Sequence, residues 1–329
     1  MMIRQAAFAG NKNNPMLKGG LHCHTTRSDG HGTPEEVIRL HKENGYDFLA
    51  LTDHRFYNYT NFAPETGITI VPGMEYDGGG FPTVADNDGL LTQAFDSTGF
   101  RCFHTVCIGP EKENGNAYEQ DQRFDSARVK SQEEYQPYLD KLHADGQMTI
   151  YCHPEWSSTP ARYFSKLKGN FAMEIWNSGC AIEDDMDTDA AYWDELLGQG
   201  VRINGVATDD GHAMYHHCKG WVRVNAKDNT VSSILAALNE GKFYSSCGPE
   251  IYDFYFEDGK FVVECSDAQK IRLHADKHPT RIARSTTGGG ADGNLTRAEF
   301  NVGNGYSYAR VTVIDKEGRH AWTNPIYLK

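Results

Sequence analysis

The chain has 329 residues, 39% hydrophobic and 23% charged, with a formal net charge of −13. That composition excludes a disordered chain and allows one large α/β core with a smaller unit attached. The negative charge repels polyanions at long range, which argues against a nucleic-acid duplex as partner and favours a small-molecule substrate.

The opening stretch MMIRQAAFAGNKNNPMLKGG is too polar and too short in its apolar run for a secretory signal, and nowhere does the chain approach the roughly 18 apolar residues of a membrane span. Its eight cysteines contain no CxxC pair. Reduced thiols, a cytoplasmic location and no membrane partner are therefore expected.

From residue 19 to about 245, short apolar runs alternate with amphipathic segments, the pattern of repeated βα units. The first motif is LHCHTTRSDG, in which His22 and His24 are two apart and so project on one face of an extended strand, with Asp29 in the loop beyond. Taken alone, such a pair equally suits two hydrogen-bonded histidines. Thr33, Pro34 and Glu36 spell a capping box with proline at the first helical position. Strands are predicted at 47–52, 68–74, 103–108, 147–152, 171–177 and 201–207, and further helices after Ser131 and near 188–198 and 230–240.

The predicted strands deliver ligand-type residues: Asp53 and His54 after the first, Glu75 after the second, His104 near the start of the third, His153 after the fourth, and Asp209, Asp210 and His212 after the last. A single histidine after a strand is usually a solvated loop residue. Their repetition at strand ends, where βα loops converge, is what points to a site. Six histidines (His22, His24, His54, His104, His153, His212) with Asp29, Glu75 and Asp210 are too many for one tetrahedral zinc. They suit a cluster in which a carboxylate bridges metals, and the imidazole–carboxylate mixture favours Zn, Mn or Fe over Ca or Mg. Cys23, by alternation, turns away into the core. The pair His216–His217 either lines the pocket or, the simpler reading, is solvated, and the FYNYTNF loop at 56–62 either shapes a pocket or packs on the rim.

After residue 241 the chain becomes a series of short β-type runs separated by glycine and polar turns, with GGGADGN at 288–294 read as an exposed turn. Two units are expected, residues 1–248 and a β-sandwich-like domain at 249–329.

These motifs, namely HCH at 22–24 with Asp29, TDH at 52–54, Gly73 to Glu75, His104, HP at 153–154 and the DxH of Asp210 to His212, resemble the PHP (polymerase and histidinol phosphatase) superfamily of metal-dependent phosphoesterases over about residues 19–248. The stretch GKFYSSCGPEI with a β-domain behind it is similar to the CehA/McbA-type subgroup. The resemblance implies a distorted seven-stranded (β/α) PHP barrel, related to the TIM barrel, with two or three divalent metal ions. It places His22, His24, Glu75 and Asp210 on a first metal, Glu75, His104 and His153 on a second, and Asp29, His54 and His212 on a third. The family usually carries serine before the last aspartate, where this chain has Asp209. Implied catalysis is attack of metal-activated hydroxide on a small phosphate ester, with a carboxylic ester, carbamate or amide as the alternative electrophile. Asp209 and Asp53 are candidates for the proton donor, or orient His212 and His54. Arg27 and Arg55 are candidates for binding phosphate.

Overall fold

The computed structural model describes residues 2–78, 83–85, 91–93, 101–186, 188–276, 281–285, 295–302 and 305–328. The expected turn at 288–294 lies outside these residues. Strands Met16–Gly20, Phe48–Leu49 and Thr69–Ile70 pair in parallel. Between the first two, helix Pro34–Glu43 starts on the expected capping box, with Thr33 accepting from the Glu36 N–H and Glu36 returning the bond, and it buries Val37, Ile38 and His41. Helix Gln132–Ala144 begins where the Ser131 side chain accepts from the Glu134 N–H and buries Tyr135, Leu139 and Leu142. Tyr138, three residues on from Tyr135, is 40% exposed.

A second sheet runs in the order Asn204–Thr208, Asn170–Asn177, Met148–Tyr151, Phe103–Ile108, Gly73–Gly78. The first two pairings are parallel, but Phe103–Ile108 is antiparallel to both its neighbours. That reversal explains why His104 sits near the start of its strand: an inverted strand brings its N-terminal end to the face where the others end. The two sheets meet at isolated parallel bridges, Cys23↔Gly211 and His54↔Glu75. The expected seven-stranded barrel is thus met in part, as a mixed α/β unit built from two bridged sheets. Leu17, Leu21, Phe48, Val71, Val106, Ile150, Val206 and Val222 fill the space between them.

The first sheet continues through Trp221–Asn225 and Phe243–Ser246 into His320–Thr323, Tyr308–Ile314, Lys270–Ala275 and Arg281–Arg284. A four-stranded sheet made of Ile3–Arg4, Ile251–Glu257, Lys260–Ala268 and Leu295–Asn301 shares with it a core that includes Phe254, Phe261, Val263, Ile271, Val311 and Val313. The beginning of the chain therefore joins the β-rich C-terminal part, by pairing Ile3 and Arg4 with Phe256 and Tyr255. Among the described residues no helix is long and apolar enough to cross a membrane.

Candidate metal centre

The bridges between the sheets lie where the ligand-type residues collect. Cys23 pairs with Gly211, so His22 and His24 turn together away from it, and His54 pairs directly with Glu75 in the strand Gly73–Gly78. His104 stands opposite Asp77 in the antiparallel register. His153 and Asp210 leave their strands with φ of 24° and 45°, a left-handed backbone that non-glycine residues adopt only when their surroundings hold them there.

Glu75 is the hub. Its Oε2 lies 2.9 Å from His54 Nδ1, 3.3 Å from His24 Nε2 and 3.4 Å from His22 Nε2. Its Oε1 lies 2.9 Å from His104 Nδ1 and 3.4 Å from His153 Nε2. Asp210 Oδ1 adds a second carboxylate, 2.9 Å from His24 Nε2 and 3.2 Å from His22 Nε2. At the rim, Asp29 stands 3.5 Å from both His54 and His212 and 3.7 Å from His24. The cluster grades from a sealed base, where His22 and His24 have no exposed side-chain surface, to Asp29, whose side chain is 56% exposed. All nine expected ligand residues are brought together.

The arrangement fits divalent cations on its own chemistry. His22 Nδ1 lies 2.7 Å from Glu174 Oε1, so it donates there and leaves Nε2 with a lone pair. That Nε2 faces His24 Nε2 at 3.2 Å. Glu75 Oε2, Asp210 Oδ1 and His54 Nδ1 are buried and form no hydrogen bond among the described residues. Acceptor atoms converging from several sides repel one another unless something positive lies between them, and buried polar atoms left unmatched are costly. Ligand atoms close enough for coordination occur in the sets His22, His24, Glu75, Asp210; His24, Asp29, His54, His212; and His54, Glu75, His104.

The electrostatics point the same way. Burial opposes ionisation of Glu75, yet the imidazoles of His104, His54 and His22 hold it well below the ordinary carboxylate range. Burial likewise opposes charge on His22, but Asp210, Glu174 and Glu75 hold it well above its usual value. Burial works against His212 too, and the Asp29 carboxylate lifts it to about 9. Protons thus satisfy the cluster when cations do not, and cations must displace them to bind.

The other expected site residues lie elsewhere. Asp53 is fully buried and accepts from Thr25 N at 2.7 Å and Ser28 Oγ at 2.9 Å, holding the turn after His24. Asp209 accepts from the N–H groups of Cys218, Lys219 and Gly220 at 2.6–2.8 Å, turned away from Glu75. Arg27 pairs with Asp121 and stacks on Phe56 and Phe62, and Arg55 Nε forms an ion pair with Asp77 at 2.9 Å. A pocket of about 330 Å³ opens over the ligands and is walled by Trp156, Cys180, Glu183, Asp184 and His216. Among its described lining residues there is no Lys or Arg.

Sequence reasoning missed Glu174. Fully buried, it holds His22 and accepts from His153 N at 2.9 Å, Asn177 Nδ2 at 3.1 Å and Thr208 Oγ1 at 2.6 Å. The signal was present, a lone carboxylate inside the apolar run FAMEIWN. His216 and His217, read as solvated, are 5% and 2% exposed.

Residues 20–175 match the family model of the PHP domain. No curated protein matches the chain. Among solved structures, a two-domain protein from Bacteroides vulgatus containing a predicted PHP-like metal-dependent phosphoesterase aligns over 97% of this chain and 100% of its own, at 14% identity and TM-score 0.47. An amidohydrolase from Chromobacterium violaceum aligns over 60% of this chain and 88% of its own at 15% identity and TM-score 0.38. The lesion-specific endonuclease EndoQ from Pyrococcus furiosus aligns over 68% of this chain and 56% of its own at 14% identity and TM-score 0.40.

Proposed function

We propose, from the match of residues 20–175 to the PHP domain family, that this chain is a member of that family and a metal-dependent phosphoesterase acting on a small phosphorylated substrate. The observation that carries the reading is Glu75, a buried carboxylate faced by ring nitrogens of His22, His24, His54, His104 and His153 with Oε2 unmatched by any hydrogen bond. In this reading the ligands divide as the family resemblance implies, with Glu75 shared, and hold two or three ions of Zn, Mn or Fe. Bound there, such ions activate water and neutralise charge on phosphoryl oxygens.

The chain's own residues position and shield. Glu174 fixes the tautomer of His22 and the backbone of His153, Asp53 holds the turn that carries Asp29, and Trp156 walls the pocket 4.9 Å from the His153 ring, centroid to centroid. His216 accepts at Nδ1 from the His212 and Ala213 N–H groups and donates from Nε2 to Glu183 at 2.7 Å. That pair lines the pocket and is placed to protonate a leaving oxygen. Arg27 and Arg55 keep to their carboxylate partners, so the phosphate charge is met by the ions. The division at residue 248 and a cytoplasmic location belong to the same reading, the latter supported by eight unpaired cysteines.

The absence of Lys and Arg from the described pocket lining favours a second reading, hydrolysis of a carboxylic ester, carbamate or amide by the same centre. Parallel turnover of p-nitrophenyl phosphate, p-nitrophenyl acetate and an aryl carbamate, with Mn or Zn supplied, separates the two. Phosphate turnover is expected. Turnover of the acetate or carbamate alone overturns the phosphoesterase assignment.

A further inference from the structure

Asp209 and Asp210 are chain neighbours with opposite destinations, and the residues around Asp209 form a second, sealed cluster. His41, in the last turn of helix Pro34–Glu43, is fully buried and donates from Nδ1 to the Val37 carbonyl at 2.8 Å. That bond fixes the tautomer and leaves Nε2 as a lone pair. Nε2 has no hydrogen-bond partner and stands 3.5 Å from Asp209 Oδ2. His217 completes the group: it is 2% exposed and neither ring nitrogen has a hydrogen-bond partner. One ligand atom from each of His41, Asp209 and His217 lies within 4.8 Å of the others.

A purely structural reading leaves three buried nitrogens unmatched beside an aspartate that no Lys or Arg pairs with among the described residues. The Lys18 ammonium is engaged by the Asn44 carbonyl and by the faces of Tyr46 and Trp221. The approach is tight as well, since a Cβ on Gly211 would fall 2.3 Å from His217 Nδ1. Zinc takes imidazole nitrogen and carboxylate oxygen at about 2.0–2.2 Å in tetrahedral geometry, which spaces ligand atoms about 3.4 Å apart. The 3.5 Å between His41 and Asp209 meets that spacing.

We propose that His41, Asp209 and His217 form a separate zinc site, distinct from the Glu75 centre, that ties helix Pro34–Glu43 to the loop carrying Asp210 and His212. Three protein donors leave the fourth tetrahedral position to water. The site has no place in the open pocket, so its work is structural: it holds the loop from behind while Asp210 and His212 face the substrate.

The test uses the full chain with the Glu75 centre disabled by Glu75→Gln, His54→Gln, Asp210→Asn and His212→Gln, which leaves none of its ligand sets whole, asparagine being tolerant of the left-handed backbone at 210. This variant is loaded with zinc, dialysed against a mild chelator and assayed for zinc per folded chain. One retained equivalent is expected, falling at least tenfold when His217→Gln or His41→Gln is added. If those additions do not fold, cobalt substitution of the variant with the disabled Glu75 centre decides, because a site of this donor set gives the visible absorption of tetrahedral cobalt. A folded chain of that variant that retains no zinc and shows no such cobalt spectrum overturns the proposal, as does zinc retention that His217→Gln leaves unchanged. Neither outcome touches the Glu75 centre, whose failure would show as loss of hydrolysis in the unmodified chain.

Discussion

Two buried charged clusters of this molecule differ in what surrounds them. Arg310, on the strand Tyr308–Ile314, is fully buried, yet its Nε donates to Asp194 at 2.8 Å, its Nη2 stands 2.7 Å from the same carboxylate as an ion pair, and it lies over the Trp193 ring at 4.4 Å. His274 closes the group, 3.2 Å from Asp194 and 3.1 Å from Thr312. Here the buried positive charge has an opposite charge beside it. Around Glu75, five imidazoles and two carboxylates converge instead on one small volume, and Glu75 Oε2, Asp210 Oδ1 and His54 Nδ1 find no hydrogen bond among the described residues. A matched network joins the C-terminal strands to helix Ala190–Gly198, whereas an unmatched one is a place for a ligand.

That contrast can be broken from either side. Glu75→Gln removes the shared carboxylate, and hydrolysis is expected to fall by roughly four orders of magnitude, about 5 kcal/mol of barrier, while the chain still unfolds at nearly the same denaturant midpoint. Equal losses of stability and activity would mean the cluster is structural. Arg310→Met is expected to do the converse, costing about 2–3 kcal/mol of unfolding free energy, the lower end for a buried pair because Asp194 is 34% exposed, with turnover per folded chain intact. The double variant with Asp194→Leu should recover most of that loss, and a double variant as unstable as Arg310→Met would show that the pairing was not the cause.

Glu174→Gln sharpens the comparison, since Glu174 touches the cluster only through His22, the His153 backbone and neighbours. Metal affinity, read by competition with a chromogenic chelator, is expected to weaken about 10–100-fold. An unchanged affinity would remove its positioning role. The smallest effect belongs to His274, whose imidazole burial and the Arg310 charge lower to about 4. Unfolded, it titrates near 6.5, so between these values the unfolded chain binds more protons and stability is lost as pH falls from about 6.5 towards 4, with no contribution above that window. His274→Gln should flatten that limb of the stability–pH curve. An identical curve would assign the acid sensitivity elsewhere.

Much of this was legible in local sequence. The capping box at Thr33, the apolar runs at 103–108 and 171–177 and the sequence of C-terminal β-runs are short-range signals, and the ligand-type residues follow them at strand ends. Strand direction was not legible. Phe103–Ile108 runs against its neighbours because of pairing across distant segments, and the odd position of His104 within it was the only trace. The pair His216–His217 misled because burial comes from tertiary packing: a polar dipeptide in a loop reads as solvated until helix Pro34–Glu43, far away in sequence, lies against it. Glu174 could have been found, since a carboxylate in the middle of an apolar strand must be matched by something.

The central claim is a metal centre at Glu75 that performs hydrolysis. Elemental analysis of the purified full chain, paired with p-nitrophenyl phosphate turnover before chelation, after it, and after Mn or Zn is restored, tests it most directly. The account predicts two or three chelatable equivalents of transition metal per chain and activity that disappears and returns with them. A chain that binds no metal at this centre, or turnover indifferent to its removal, would contradict the account.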